Sequence, residues 1–150
     1  MPRNEQSVTI NLPVRDVFDF VGRDFFRNNP KWAPDIQELT RTSSGPMNVG
    51  ATAHQVRLVN GKPVESEVHI TEYEPNRKFS FKSVGPTNAQ GSYTFDEVGG
   101  TTRLTMVLDM QPEGFGRLAG PIIARKMKES MEADLGRLKT MLESGAAVGG

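Results

Sequence analysis

At 150 residues the chain has the length of one domain, and folding at this size removes roughly 70% of the unfolded chain's surface from water. Its 18 basic and 18 acidic residues cancel, and no run of like charge forms a basic or acidic tail, so neither nucleic acid nor an anionic membrane surface is an expected partner. The absence of cysteine excludes disulfides, thiolate metal ligands and a cysteine nucleophile, and suits a reducing compartment.

The N-terminal "MPRNEQSVTINLP" has no apolar stretch of signal-peptide length, and nowhere do about 18 apolar residues run together. A cytoplasmic protein without an integral membrane segment is expected. "SVTINL" alternates as a strand, and Val14, Val17, Phe18, Val21 and Phe25 follow at helical spacing, with Pro13 suited to the first turn. Gly22 and "NNPKWAP" are expected to break this region into two short helices and a loop.

From Asp35 to Gln111 the period changes to two, with turn signals at "SSGPMNVG", "NG", "EPN", "GPTN" and "GG", which predicts six strands in an antiparallel meander. The last element is a long helix, because Phe115, Leu118, Ala119, Ile122, Ile123, Met127, Met131, Leu135, Leu138 and Leu142 form one apolar stripe. Gly120 and Pro121 are expected to interrupt its first part. A stripe this long needs a surface to lie on, and the sheet offers the only large one. The fold class is therefore α+β, one domain over 4–143, and the tail "SGAAVGG", 144–150, looks too featureless to be ordered.

Turn chemistry fixes the register of two hairpins. An Asn60-Gly61 loop pairs Val59 with Lys62, so Thr52, His54, Val56 and Leu58 share one face with His69, Glu67, Glu65 and Pro63. Ala51, Ala53, Gln55 and Arg57 share the other with Ile70, Val68, Ser66 and Val64. A Gly99-Gly100 loop pairs Phe95 with Leu104, Tyr93 with Met106, Gly91 with Leu108 and Ala89 with Met110, opposite a wet face pairing Asp96 with Arg103 and Thr94 with Thr105. Apolar rows belong against the core, so both histidines point to solvent, with His54 opposite Glu67 as a surface pair of small energetic value. A metal site on such a pleat would lack a second shell, and none is expected.

The inward rows contain small residues, Ala51, Ala53, Ser66, Ala89 and Gly91, facing the long helix. Either the helix approaches closely there or a void is left, and interiors keep large voids only when something occupies them. With Val68, Phe79, Phe81, Phe95, Met106, Leu108, Met110, Ile123, Met127 and Met131 as apolar lining, and Gln55, Arg57, Ser66, Ser83 and the Tyr93 hydroxyl as polar groups, the composition is that of a small-molecule pocket. Rows of Met and aromatic residues also make plain core, and Arg57 near a hairpin end can snorkel to water.

The segments "VFDFVGRDFFRNNPKWAPDIQELTR", "NVGATAHQVRL", "VHITEYEPNRKFSFKS", "GSYTFDEVGGTTRLTMVLDM" and "LGRLKTMLE" resemble the polyketide cyclase/dehydrase and lipid-transport family of the START-like (SRPBCC, pollen-allergen-like) superfamily over residues 6 to 143. The resemblance implies a helix-grip fold: an N-terminal strand, two short helices, six further antiparallel strands in a curved sheet, and a long C-terminal helix packed across it over a hydrophobic cavity. Trp32, between two prolines, would plug the cavity mouth or pack the second short helix. The family includes carriers and cyclases, so the fold leaves the reaction open.

No nucleophile elbow, P-loop, dinucleotide fingerprint or H-E-x-x-H is present. Three readings follow: a binding or transport module for a small hydrophobic lipid, sterol or aromatic polyketide-like molecule; a polyketide cyclase/dehydratase-like enzyme in the same cavity; and a filled-core interaction protein. In the enzyme reading Arg57 would stabilise an enolate oxygen and Tyr93 would donate a proton. No cofactor is called for, and a monomer or weak dimer is expected.

Overall fold

Every segment of period two becomes a strand in the computed structural model, which describes residues 3–59, 61–112 and 120–145. β1 (Arg3–Ile10) leads into α1 (Val14–Phe18), a π-helical turn (Asp19–Arg23) and α2 (Phe25–Trp32). Six strands follow: β2 (Ile36–Arg41), β3 (Thr52–Val59), β4 (Lys62–Glu74), β5 (Lys78–Val84), β6 (Thr87–Val98) and β7 (Thr101–Pro112); α3 (Gly120–Glu143) closes the fold. The sheet runs β1-β7-β6-β5-β4-β3-β2, antiparallel throughout, so the six-strand meander is completed by β1 pairing with β7.

Both predicted hairpin registers are observed. Val59 pairs with Lys62 and Ala53 with Val68, and Gly61 takes φ +78° as the tight connection demands; Asn60 lies outside the described residues. Phe95 pairs with Leu104 and Gly91 with Leu108 behind Gly99 and Gly100, both at positive φ. Register shifts near Ile36 and between Ile70 and Glu72 bend the sheet, giving it a concave face.

The helical region departs from expectation in one respect. "NNPKW" does not form a loop but continues α2, with Pro30 inside its last turn. Proline removes one amide there, and burial of Phe25, Phe26, Asn28, Asn29 and Trp32 holds the turn regardless. Asn28 Nδ2 donates to the Phe20 carbonyl at 3.1 Å, tying α2 to the π-helical turn. That turn is closed by Asp24 N–H to Asp19 O at 3.1 Å, and it carries Gly22, where a Cβ would come within 2.9 Å of the Phe18 ring.

α3 differs from its predicted form at its start. Among the described residues the helix begins at Gly120 with Pro121 in its first turn, where a proline loses no helical hydrogen bond, and the expected interruption concerns residues before it that lie outside the described ones. Ile122 is 60% exposed and does not face the sheet, since five residues before Met127 places it about 140° around the helix from that residue. Phe115, Leu118 and Ala119, and the side chain of Ile123, lie outside the described residues, as does 146–150 of the expected disordered tail. Ser144 and Gly145 form a turn, with Ser144 N–H donating to Thr140 O at 3.0 Å.

The C-terminal half of α3 buries Leu135, Leu138 and Leu142 in the main core with the rings of Phe18, Phe25, Phe79, Tyr93 and Phe95. Nearer its start, Met127 and Met131 form a second cluster with Leu108, against which Phe81, Ala89, Met106 and Met110 pack. Lys139 Nζ donates to Thr9 O and also binds Glu143, whose carboxylate accepts from Asn11 N–H at 2.8 Å. These bonds pin the helix end to β1 and leave its middle spanning the concave face.

Candidate functional site: a cavity with a polar and an apolar half

Between the concave face, α2 and the middle of α3 lies a cavity of about 80 Å³, measured over the positions that the centre of a water-sized molecule can take. From the sequence-predicted set, the structure places Gln55, Arg57, Ser66, Val68, Phe81, Tyr93, Met106 and Leu108 on its wall, together with Ser83, Ala89 and Met110.

Other predicted residues sit elsewhere. Ala53, Phe79 and Phe95 belong to the packed layer, because Phe79 and Tyr93 stack at 4.9 Å and Phe25 closes edge-on at 5.0 Å from Phe79, filling the end of the space. Met127 and Met131 are spent on the second cluster. Gly91 is covered, since a Cβ there would come within 2.5 Å of the Phe81 ring. Of the two roles expected for Trp32, the packing of the second short helix is the one observed. Trp32 is 1% exposed, packs on Phe20 and Phe25, and forms part of the wall.

Phe25, Asn29, Ala33, Val59, Val64, Asp134 and Leu135 also line the cavity without having been singled out for it. Asp134 was legible: it lies three residues after Met131 and four before Leu138, inside the apolar stripe. A carboxylate at such a position must meet the interior. Asn29 gave no such signal, because its loop-like "NNP" context conceals that the helix continues.

The polar groups are not scattered. Gln55 and Arg57 lie on β3, Ser66 on β4 and Ser83 on β5, while β6 and β7 supply Ala89, Met106, Leu108 and Met110. Toward the β2 edge the wall is therefore mixed, these polar groups alternating with Val59, Val64, Val68 and Phe81, and toward β7 it is apolar apart from Tyr93 on β6. Within the polar half, Gln55 Nε2 donates to Ser66 Oγ at 3.3 Å and Ser83 Oγ donates to the same oxygen at 3.0 Å.

Electrostatics distinguish the titratable members. Burial pushes the Asp134 carboxyl up to about 6, against the opposing pull of Arg57 and Arg137, with Asp35 adding to the rise. Burial pushes the Tyr93 hydroxyl well above its usual range, with Asp134 adding to the shift and a Trp32 hydrogen bond opposing it. Tyr93 is thus held in its protonated form, as a hydrogen-bond donor on the cavity wall. Asp134 is the group able to exchange a proton near neutrality.

On the convex face, His54 and His69 do point to solvent. Their carboxylate partners differ from expectation: His54 Nε2 lies 3.1 Å from Glu65 and 3.7 Å from Glu38, while Glu67 meets His69 at 3.2 Å. His54 and Glu67 are opposite in register, but sheet twist brings the diagonal neighbour closer. No cluster of three or more His, Asp or Glu able to hold a metal occurs among the described residues.

An antiparallel sheet curved around a long C-terminal helix, with a cavity between them, defines a helix-grip protein. The polyketide cyclase / dehydrase and lipid transport family matches residues 1–143, and the chain belongs to it. Solved structures share the fold at low identity. TTHA0849 of Thermus thermophilus is 18% identical with a TM-score of 0.80, covering 96% of this chain and 99% of its own. A START superfamily protein of Mycobacterium smegmatis is 15% identical with a TM-score of 0.78, covering 95% and 97%. The Zhui aromatase/cyclase of a Streptomyces species is 15% identical with a TM-score of 0.75, covering 96% and 94%. Among the described residues no helix is long and apolar enough to cross a membrane.

Proposed function

We propose that the chain binds a small amphipathic molecule in this cavity, with its apolar body on the β6–β7 half and its polar end on the β3–β5 half. The observation that carries this reading is the uneven placing of polar groups on the wall: Gln55, Arg57, Ser66 and Ser83 lie on β3, β4 and β5 among Val59, Val64, Val68 and Phe81, while β6 and β7 bring Ala89, Met106, Leu108 and Met110 with Tyr93 as their one polar side chain. A wall that is mainly apolar, with a few convergent polar groups, is the usual form of a small-molecule site. A lipid, a sterol or an aromatic polyketide-like molecule would meet that description, in keeping with the family's cyclases and lipid carriers. A cytoplasmic setting fits a chain without cysteine.

The test is native mass spectrometry of the protein purified from its own host, with organic extraction of what it holds. A stoichiometric amphipathic molecule is the expected result. A bare mass that stays bare after incubation with lipids, sterols and aromatic polyketides would overturn the reading and return weight to a filled-core interaction protein.

One observation favours a second reading, an enzyme of the cyclase/dehydratase type. Asp134, poised near neutrality on a mainly apolar wall, is suited to removing a proton next to a carbonyl, with Arg57 placed to hold the resulting enolate oxygen. Conversion of a bound poly-ketone, lost in Asp134→Asn while binding persists, would separate turnover from carriage.

A further inference from the structure

On the reading that the cavity is a ligand site, we propose that the molecule it holds is an apolar carboxylic acid, its carboxylate seated at Arg57 and the Asn29 amide, with Asp134 taking up a proton as it binds.

Arg57 carries a permanent charge and donates only. It faces the cavity, yet among the described residues it makes no hydrogen bond and no ion pair. The nearby carboxylate is engaged elsewhere: Asp134 lies 3.4 Å from Arg137 on its own helix. The unmatched charge on the cavity wall is therefore positive, and a planar fork of donors fits a carboxylate.

Asn29 adds a second, independent sign. Its side chain is on the cavity wall and the residue is only 5% exposed, yet among the described residues the side-chain amide has no hydrogen-bond partner. Every fully buried side-chain nitrogen and oxygen among the described residues does have a partner. The Asn29 amide must then reach the open space of the cavity, where a ligand can use its N–H and its carbonyl.

Asp134 is faced by Arg57 from β3, Arg137 from α3, Asp35 from the segment before β2, and Tyr93 from β6. A carboxylate arriving at Arg57 brings negative charge toward Asp134 and displaces water, and both disfavour its ionised form. Since burial already holds the group up at about 6, a modest further rise protonates much of it at neutral pH. Protonated, it gains an O–H to donate to the incoming carboxylate. A cationic ligand would have the opposite effect and would leave Arg57 unmatched.

Trp32 is the sole tryptophan and lines the cavity, so its fluorescence reports occupancy directly. Decanoate, 1-decanol and decylamine, matched in their chains, would be titrated at about pH 8 and about pH 6. Decanoate should bind at least about tenfold tighter than 1-decanol and gain about fivefold or more on acidification, the scale of a shift of roughly one pKa unit, with decylamine weakest. Arg57→Met should erase the preference for decanoate while leaving 1-decanol binding intact. Equal binding of decanoate and 1-decanol, or a decanoate affinity indifferent to pH, would overturn the acid assignment and leave the cavity's role as a ligand site standing. No response to any of the three would sink that role and the acid assignment together.

Discussion

Arg57 on β3 and Asp134 on α3 face each other across the polar half of the cavity without closing an ion pair. Each feels the other's charge, but Asp134 takes Arg137 as its direct partner at 3.4 Å. The gap between them is the space in which a ligand's polar end can sit. Its maintenance costs stability, because a carboxyl that would ionise readily in water is held where ionisation is disfavoured.

That cost is measurable. Asp134 has its folded value raised from 3.8 to about 6, so between those limits the native state binds more protons than the unfolded one. Stability from this group is then full at low pH, falls as pH rises toward about 6, and stays lower beyond it. With the side chain 21% exposed, the loss should be about 2 kcal/mol. Urea unfolding of the wild type and Asp134→Asn from about pH 4 to pH 8 should show the variant gaining relative to wild type by that amount. A difference between the two that stays flat across the range would mean Asp134 is well solvated.

Gly91 should be intolerant of any side chain. The Phe81 ring lies over it, with a Cβ at 91 meeting ring atoms at 2.5 and 2.7 Å. Gly91→Ala must push that ring into the cavity, so it should cost about 1–3 kcal/mol and reduce ligand occupancy. Adding Phe81→Leu should restore part of both, and a double-mutant cycle on thermal unfolding reads the coupling. Additive effects would show that the contact is easily relieved.

Much of this architecture could be read from the chain because it is governed by local chemistry. The Asn60-Gly61 and Gly99-Gly100 loops fix hairpin register, and register assigns each residue between them to a face. What escaped was decided by tertiary packing. Phe79 and Phe95 lie on the inward face with Phe81, and only the stacking of their rings determines which of them lines empty space. Asn29 was hidden because α2 continues through Pro30, held by burial of Trp32 and Phe25 against the proline's local preference. Asp134 was legible from its place in the helical stripe.

His54→Ala should change stability by less than about 1 kcal/mol, since its contacts with Glu65 and Glu38 are between exposed groups. The same variant should leave ligand affinity unaltered, as the side chain lies on the convex face. Thermal unfolding and the Trp32 titration check both. A loss above about 2 kcal/mol would place His54 in a coupled network with Glu38 and Glu65.

Ser66 is the residue on which the polar half depends most. Its Oγ accepts from Gln55 Nε2 at 3.3 Å and from Ser83 Oγ at 3.0 Å, so one oxygen orients two neighbours. Ser66→Ala removes the acceptor of both, and Ser83, only 8% exposed, has little water to turn to. The expected cost is about 1–2 kcal/mol, against less for Ser83→Ala, which removes a single bond and leaves Ser66 its contact with Gln55. Released from Ser66, Gln55 should also orient a ligand less well. Ser66→Ala should therefore weaken a ligand with a polar end more than one that is hydrocarbon throughout. Chemical denaturation of both variants, with the decanoate and 1-decanol titrations repeated on Ser66→Ala, would decide the matter. Equal costs for the two serines would show that the Gln55 bond carries no weight, leaving the Ser66–Ser83 contact as the part of the row that matters.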